Sequence, residues 1–224
     1  MILGIGGEYE SGKDTVADYL VNKYGYTKMA FAENLKQMAM KVFNLTHEQC
    51  YTTKGKFELF DSPVKLEEKH CTLICVWIRD VNKWKITNDI ILKVDEVLNR
   101  GMTFETPRDI LQKVGTEIMR DCFDPDIHAM IVFDKIKENG YENVAIADAR
   151  FGNERSFVRS KGGQLVLVDC PQVKNRETSG NSTHRSETSL GDKFEYNHVI
   201  VNDKDAGLET LYYLIDGMME TLCL

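Results

Sequence analysis

Apolar and polar positions along this chain follow two periods that take turns. "ILGIGG" at positions 2–7 is a short apolar run ending in glycines, and Val16, Ala17, Leu20, Val21 and Tyr24 then recur at helical spacing. The pattern predicts strand, glycine loop, helix. A second apolar stretch, "KMAFA", leads into "ENLKQMAMKVF", which places Leu35, Met38, Ala39, Val42 and Phe43 on one helix face. "TPRDILQKVGTEIMRDCF" predicts a helix with Thr106 as N-cap, Pro107 in the first turn and Leu111, Val114 and Ile118 inward. Another helix, "DPDIHAMIVFDKIKENG", ends at Gly140, and "NVAIADAR" after it reads as a fully buried strand. Helix "NERSFVRSKGG", strand "QLVLVDC", strand "NHVIVND" and helix "AGLETLYYLIDGMMETL" complete the alternation. Strands at 2–6, 28–32, 143–147, 164–169 and 198–201 predict an α/β fold, a mainly parallel five-stranded sheet with helices on both faces. Ligands of such a sheet gather at the C-terminal ends of its strands.

Two stretches interrupt the alternation. Between about 46 and 105 it lapses, and "CTLICVWIRDVNKWKITNDIILKV" predicts two strands around a polar turn at Asp80 to Lys83, an inserted hairpin. That insertion either pads the fold, with Trp77 and Trp84 as packing residues, or forms an acceptor-side lid or the contact of a homodimer. The dimer contact is favoured, because "LICVWI" is more apolar than a free hairpin needs. "PQVKNRETSGNSTHRSETSLGDK" is a long polar loop without core-forming residues, functional or disordered by its length. The expected organisation is one domain over 1–224, with the insertion and a mobile loop at about 172–190.

Composition narrows the partners. The formal net charge of −7 argues against a sequence-independent grip on nucleic acid, which needs a basic stripe. Six cysteines without CxxC spacing or a nearby histidine pair suggest neither zinc nor a disulfide framework, and predict reduced thiols in a cytoplasm. "MILGIGG" lacks the charged start of a signal peptide, and no segment approaches a membrane span.

The candidate chemistry begins at "GGEYESGKDT". A glycine-rich turn feeding a helix offers unpaired N–H groups and partial positive charge to an anion. Gly7 and Gly12 let the backbone wrap phosphates, and Lys13 reaches the β and γ oxygens of a nucleotide. The competing reading is a structural glycine turn whose lysine is a solvated helix-start residue. Asp14 stands where Ser or Thr ordinarily holds Mg²⁺. It is either a magnesium ligand, directly or through water, with Thr15 offering a hydroxyl beside it, or a complement to the helix dipole.

"DARFGNE" places Asp148 and Arg150 at the end of a central strand and Glu154 one turn on, either a site or a salt bridge. Arg108 and Gln112 lie four apart on one helix face, with Thr116 a turn further. Arginine suits a phosphate and glutamine a base edge.

Together "SGKDTVADYL", "FAENLKQMA", "PRDILQKVGTEIMR", "FDPDIHAMIVF", "ADARFGNE" and "THRSETSLGDKFEYNHVIVND" resemble the deoxynucleoside monophosphate kinases of tailed bacteriophages, in family order and over all but about 46–105. The resemblance implies a P-loop NTPase fold of the nucleoside monophosphate kinase type. It implies transfer of the γ-phosphate of ATP to a deoxynucleoside monophosphate, with Mg²⁺ as cofactor, in the host cytoplasm for a phage-encoded chain. By position, Ser11, Lys13, Asp14 and Thr15 would belong to the phosphate and magnesium site. Arg108, Gln112, Gly115, Thr116, Asp148, Arg150 and Glu154 would line the acceptor, and Lys13, Arg108 and Arg150 would act on the phosphoryl groups. His128 stands where related sequences carry tryptophan, and either stacks on the acceptor base or is a surface residue. Arg176 or Arg185, in the loop with His184, Ser186 and Glu187, is either a phosphoryl ligand or part of a solvated segment. A P-loop kinase of phosphomevalonate or dephospho-coenzyme A, and a nucleotide-switched binding module, are the competing functions.

Overall fold

The computed structural model describes residues 1–174 and 192–222. The chain forms two compact units, one of residues 1–31 and 132–224, the other the continuous stretch 32–131. The segment expected as an insertion lies inside the second.

The first unit is built on five parallel strands, β1 (Ile2–Gly7), β2 (Thr27–Met29), β3 (Val144–Ile146), β4 (Gln164–Asp169) and β5 (His198–Val201), in the order β2-β3-β1-β4-β5. Ile2 is level with Val144 and Gly7 with Val168, so β1 is held on both sides by strands from the distal half of the chain. Leu3, Ile5, Ala145, Val166 and Ile200 point to one face, where Val16, Ala17 and Leu20 of helix Lys13–Tyr24 and Leu211, Ile215 and Met219 of helix Gly207–Leu222 cover them. On the other face Val158 of helix Gly152–Ser160 and Leu165 close over Gly4. The expected five strands, their parallel sense and helices on both faces are all present, the fold of a P-loop kinase.

The second unit departs from the sequence reading. The expected hairpin is two helices, Glu68–Asp80 and Asn88–Asn99. The reason lies in spacing: Cys71, Ile74 and Ile78 form one buried stripe and Ile90, Val94 and Val97 another, both at periods of three and four. Thr87 Oγ1 accepts from Ile90 N–H at 3.3 Å and caps the second helix. The β-branched run that suggested strands is one helix, whose Leu73 and Val76 lie outside the buried stripe. Trp77 and Trp84 do pack, partly buried against this core, and Trp77 Nε1 donates to Asn34 Oδ1. A two-stranded antiparallel ribbon, Val64–Lys65 with Thr103–Phe104, is the small sheet of this unit.

The helix after Thr106 begins as expected: Thr106 Oγ1 accepts from Asp109 N–H and the Asp109 carboxylate accepts from Thr106 N–H, a reciprocal cap. Its first buried residues are Pro107 and Ile110; Leu111, expected inward, is only partly buried. From Val114 to Phe123 the α-helix widens into a π-helix. No spacing in the sequence announces that change.

Candidate functional site

At the C-terminal end of β1 the chain makes a tight loop and enters helix Lys13–Tyr24. Ser11 N–H donates to Glu8 O at 3.1 Å, closing a turn, and Glu10 takes a left-handed φ of 61°. Gly12, at the N-cap, has φ 96°, which glycine adopts without strain. No side chain caps this helix. Its first N–H groups therefore point into the loop without intrahelical acceptors, the arrangement that receives an anion. Lys13 is only 6% exposed, and its Nζ donates to Glu8 O at 3.3 Å, folding over the loop. Ser11 is fully buried, and its Oγ has no hydrogen-bond partner among the described residues. A buried hydroxyl without a partner, a buried lysine and an uncapped helix start fit a polyphosphate.

Asp14 is 68% exposed at its side chain and faces Lys28 of β2 at 3.3 Å; Lys28 also pairs with Asp18 at 2.8 Å. Among the described residues no group of three or more histidine, cysteine or carboxylate side chains is arranged to hold a metal. A magnesium ion that arrives on a nucleotide draws most of its oxygens from phosphate and water. Asp14, turned to Lys28, and Thr15 are the oxygen-bearing side chains next to Lys13 at this helix start.

The end of β3 is fastened to β2. Asp148 Oδ1 accepts from Phe31 N–H at 2.6 Å. Glu154, buried, accepts from both Arg150 N–H and Phe151 N–H at 3.0 Å, which caps helix Gly152–Ser160 and fixes the backbone of Arg150. Arg155 grips Glu195 through Nε at 2.9 Å and Nη2 at 2.6 Å, and Nη1 donates to Arg150 O. Arg150 itself keeps a buried Nε with no hydrogen-bond partner among the described residues. Asp148 and Glu154 thus hold backbone, and Arg150 is the member whose side chain has donor capacity left.

In the second unit Arg108, Gln112 and Thr116 follow one another along helix Pro107–Lys113 and the first π turn, each partly exposed. Gly115 is buried beneath Leu35. His128 is 4% exposed, so it is no surface residue, and its Nε2 lies 3.1 Å from the Gly115 carbonyl. Burial pushes the imidazole pKa down to about 4, and the charge of Arg120 adds to the effect. The neutral ring donates Nε2–H to Gly115, while its buried Nδ1 has no partner. Arg120, also buried, donates to Pro125 O at 2.9 Å, so the turn before His128 is tied to the same π-helix.

Sequence reasoning missed Asn202. Just past β5, its Nδ2 donates to Ser11 O at 2.8 Å, and its N–H donates to Asp169 O. A side chain on Gly12 would come within 2.4 Å of that Nδ2. The "VND" in the quoted tail was its only trace. Arg176, His184, Arg185, Ser186 and Glu187 lie outside the described residues. The five described cysteines are free thiols, and burial pushes Cys71 and Cys122 up to about 11, which keeps both protonated.

No family model matches the chain. It is similar to three viral proteins. One, of Acanthamoeba polyphaga mimivirus, is named "Putative deoxynucleotide monophosphate kinase" and is 29% identical over 91% of this chain and 89% of its own length. The deoxynucleoside-5'-monophosphate kinase of Escherichia phage T5 is 25% identical over 92% of this chain and 90% of its own. The deoxynucleotide monophosphate kinase of Enterobacteria phage T4 is 25% identical over 99% of both. The resemblance carried by the motifs is borne out over nearly the whole length.

Proposed function

We propose that this protein is an ATP-dependent deoxynucleoside monophosphate kinase, passing the γ-phosphoryl group of ATP to a deoxynucleoside monophosphate to give the diphosphate and ADP. In a virus this supplies nucleotides for DNA synthesis. The observation that carries the reading is the uncapped loop at the end of β1, with Lys13 and Ser11 buried in it, in a chain that three such kinases match almost end to end.

Phosphoryl transfer asks for positioning and charge neutralisation more than for a strong base. An oxygen of the acceptor monophosphate forms the new bond to phosphorus as the bond to the ADP oxygen breaks, and the acceptor needs no deprotonation. The loop N–H groups and Lys13 hold the donor polyphosphate, and a phosphate oxygen gives the buried Ser11 hydroxyl an acceptor. Asp14 and Thr15 would hold a Mg²⁺ ion that accompanies the nucleotide, directly or through water, and the ion would supply charge neutralisation. Arg150, with its unpartnered Nε, and Arg108 bind phosphoryl oxygens. Gln112 and Thr116 face the acceptor nucleoside. Asp148, Glu154 and Gly115 contribute by shaping backbone. His128 is read as a support for Gly115, since a buried ring offers a base no face.

Cytoplasmic action, in the host for a phage-encoded chain, is supported by the phage origin of two of the similar kinases. The acidic net charge supports the expectation of no nucleic-acid partner. No helix among the described residues is long and apolar enough to cross a membrane. The homodimer reading is supported by exposed Leu73, Val76 and Leu92 on the two helices of the second unit.

The test is a coupled assay with ATP and a panel of deoxynucleoside monophosphates. ADP formation that depends on an acceptor is expected; ADP no higher than background with every member of the panel would end the proposal.

A further inference from the structure

Phe57 is an odd residue to find where it is. It ends the short helix Thr53–Lys56 with 52% of its surface exposed, next to Leu59 at 70%. A phenyl ring so open adds little to a core. Its position is nevertheless built. Thr52 Oγ1 accepts from Gly55 N–H at 3.0 Å, and a side chain on Gly55 would strike the Glu48 carbonyl at 2.3 Å, so this turn sits directly on the preceding helix. Just beyond it, Phe60 N–H donates to Glu105 O at 2.9 Å, pinning the segment beside the start of helix Pro107–Lys113. The result is that the Phe57 ring meets the guanidinium of Arg108, whose carbon stands over the ring at 4.9 Å from its centre.

We infer that Phe57 is a positioning residue for the acceptor phosphate, its ring holding the Arg108 guanidinium in the orientation that receives a deoxynucleoside monophosphate. The inference rests on Arg108 being an acceptor residue, as proposed above. An arginine side chain has several rotatable bonds, and freezing them on binding weakens affinity. A guanidinium resting by its face on an aromatic ring keeps its N–H donors in its own plane, parallel to the ring, where their fork still matches two phosphate oxygens. Gln112, one turn along the same helix, remains beside it for the nucleoside.

The experiment measures steady-state constants for both substrates in the wild type, Phe57→Leu, Phe57→Trp, Arg108→Ala and the Phe57→Leu/Arg108→Ala double variant. Phe57→Leu is expected to raise KM for the monophosphate about 2- to 5-fold, the scale of an exposed cation–π contact. KM for ATP and the melting temperature stay unchanged, because the ring is half exposed. Phe57→Trp is expected to restore the wild-type constant, since another aromatic face serves. In the Arg108→Ala background Phe57→Leu is expected to add nothing. An unchanged monophosphate KM in Phe57→Leu overturns the inference while leaving the kinase reading intact. So does an effect that persists without Arg108, which would put the ring on the nucleotide itself. Absence of monophosphate-dependent turnover in the wild type overturns the kinase reading, and this inference with it.

Discussion

Lys13 and Asn202 hold one loop at two different carbonyls, those of Glu8 and Ser11. Lys13 covers the loop from within the helix start, and Asn202 holds the Ser11 carbonyl from beneath. Replacing Lys13 with alanine is expected to lower turnover about 100-fold or more with the far-ultraviolet spectrum unchanged; near-normal turnover would remove Lys13 from the site. Asn202→Ala deletes one buried hydrogen bond and is expected to cost about 1–3 kcal/mol, read as a raised KM for ATP with KM for the acceptor little changed. Equal rises in both constants would show a general loosening instead. His128 makes a prediction about pH. The unfolded chain binds its proton near the ordinary histidine pKa of about 6.5, while the folded ring stays neutral to about 4. Stability is therefore fully present above about 6.5 and is lost as the pH falls towards 4. Urea unfolding at pH 7 and pH 4.5 should show a drop that is smaller by about 2 kcal/mol in His128→Gln. Parallel pH profiles for the two proteins would contradict the buried neutral ring.

At the scale of elements, legibility followed how local each cause is. The five strands were readable because each is a short apolar run bounded by turn residues, and the reciprocal cap at Thr106 because its partner Asp109 is three residues away. "CTLICVWI" misled because β-branched residues favour strands when taken by composition. Its helical character rests on which of them are buried, Cys71, Ile74 and Ile78, with Leu73 and Val76 outside the stripe. The neighbouring helix gives a direct check: Thr87→Ala, which removes the cap on Ile90, is expected to destabilise the protein by about 1 kcal/mol. A hairpin at this place would have no such sensitivity. The π-helix from Val114 to Phe123 was not legible at all. Its i to i+5 bonds, such as Asp124 N–H to Met119 O, depend on packing around Gly115 and on the His128 and Arg120 contacts rather than on local propensity.

At the scale of the whole molecule, the motifs of the candidate site were visible wherever chemistry is compressed into a few neighbouring residues, as in "SGKDT" and "DARFGNE". Contacts made across the chain left no mark: Asn202 is 191 positions from Ser11, and Phe57 lies in the stretch where the family resemblance is weakest. Association is the property that most needs measurement at this scale. Deleting residues 71–94 would remove the buried Ile74, Ile78, Ile90 and Val94 and destroy the unit, so the dimer is better tested on its surface. Changing Leu73, Val76 and Leu92 together to serine is expected to shift the mass seen by light scattering from twice 25.6 kDa to once that value. A wild-type mass already at the single value would dispose of the dimer.

The tie between Ser11 and Asn202 also has a consequence in time. A ribosome releases the glycine loop well before its partners, since β1 has no neighbouring strand until residues 144–146 and 164–169 exist, and the Ser11 carbonyl has no Asn202 amide until residue 202 emerges. A chain cut short between the glycine loop and that asparagine carries the loop's own bonds, Ser11 N–H and Lys13 Nζ to Glu8 O, without the tie to Asn202. On the reading proposed above, such incomplete products are expected to bind ATP more weakly than the full chain, as Asn202→Ala is.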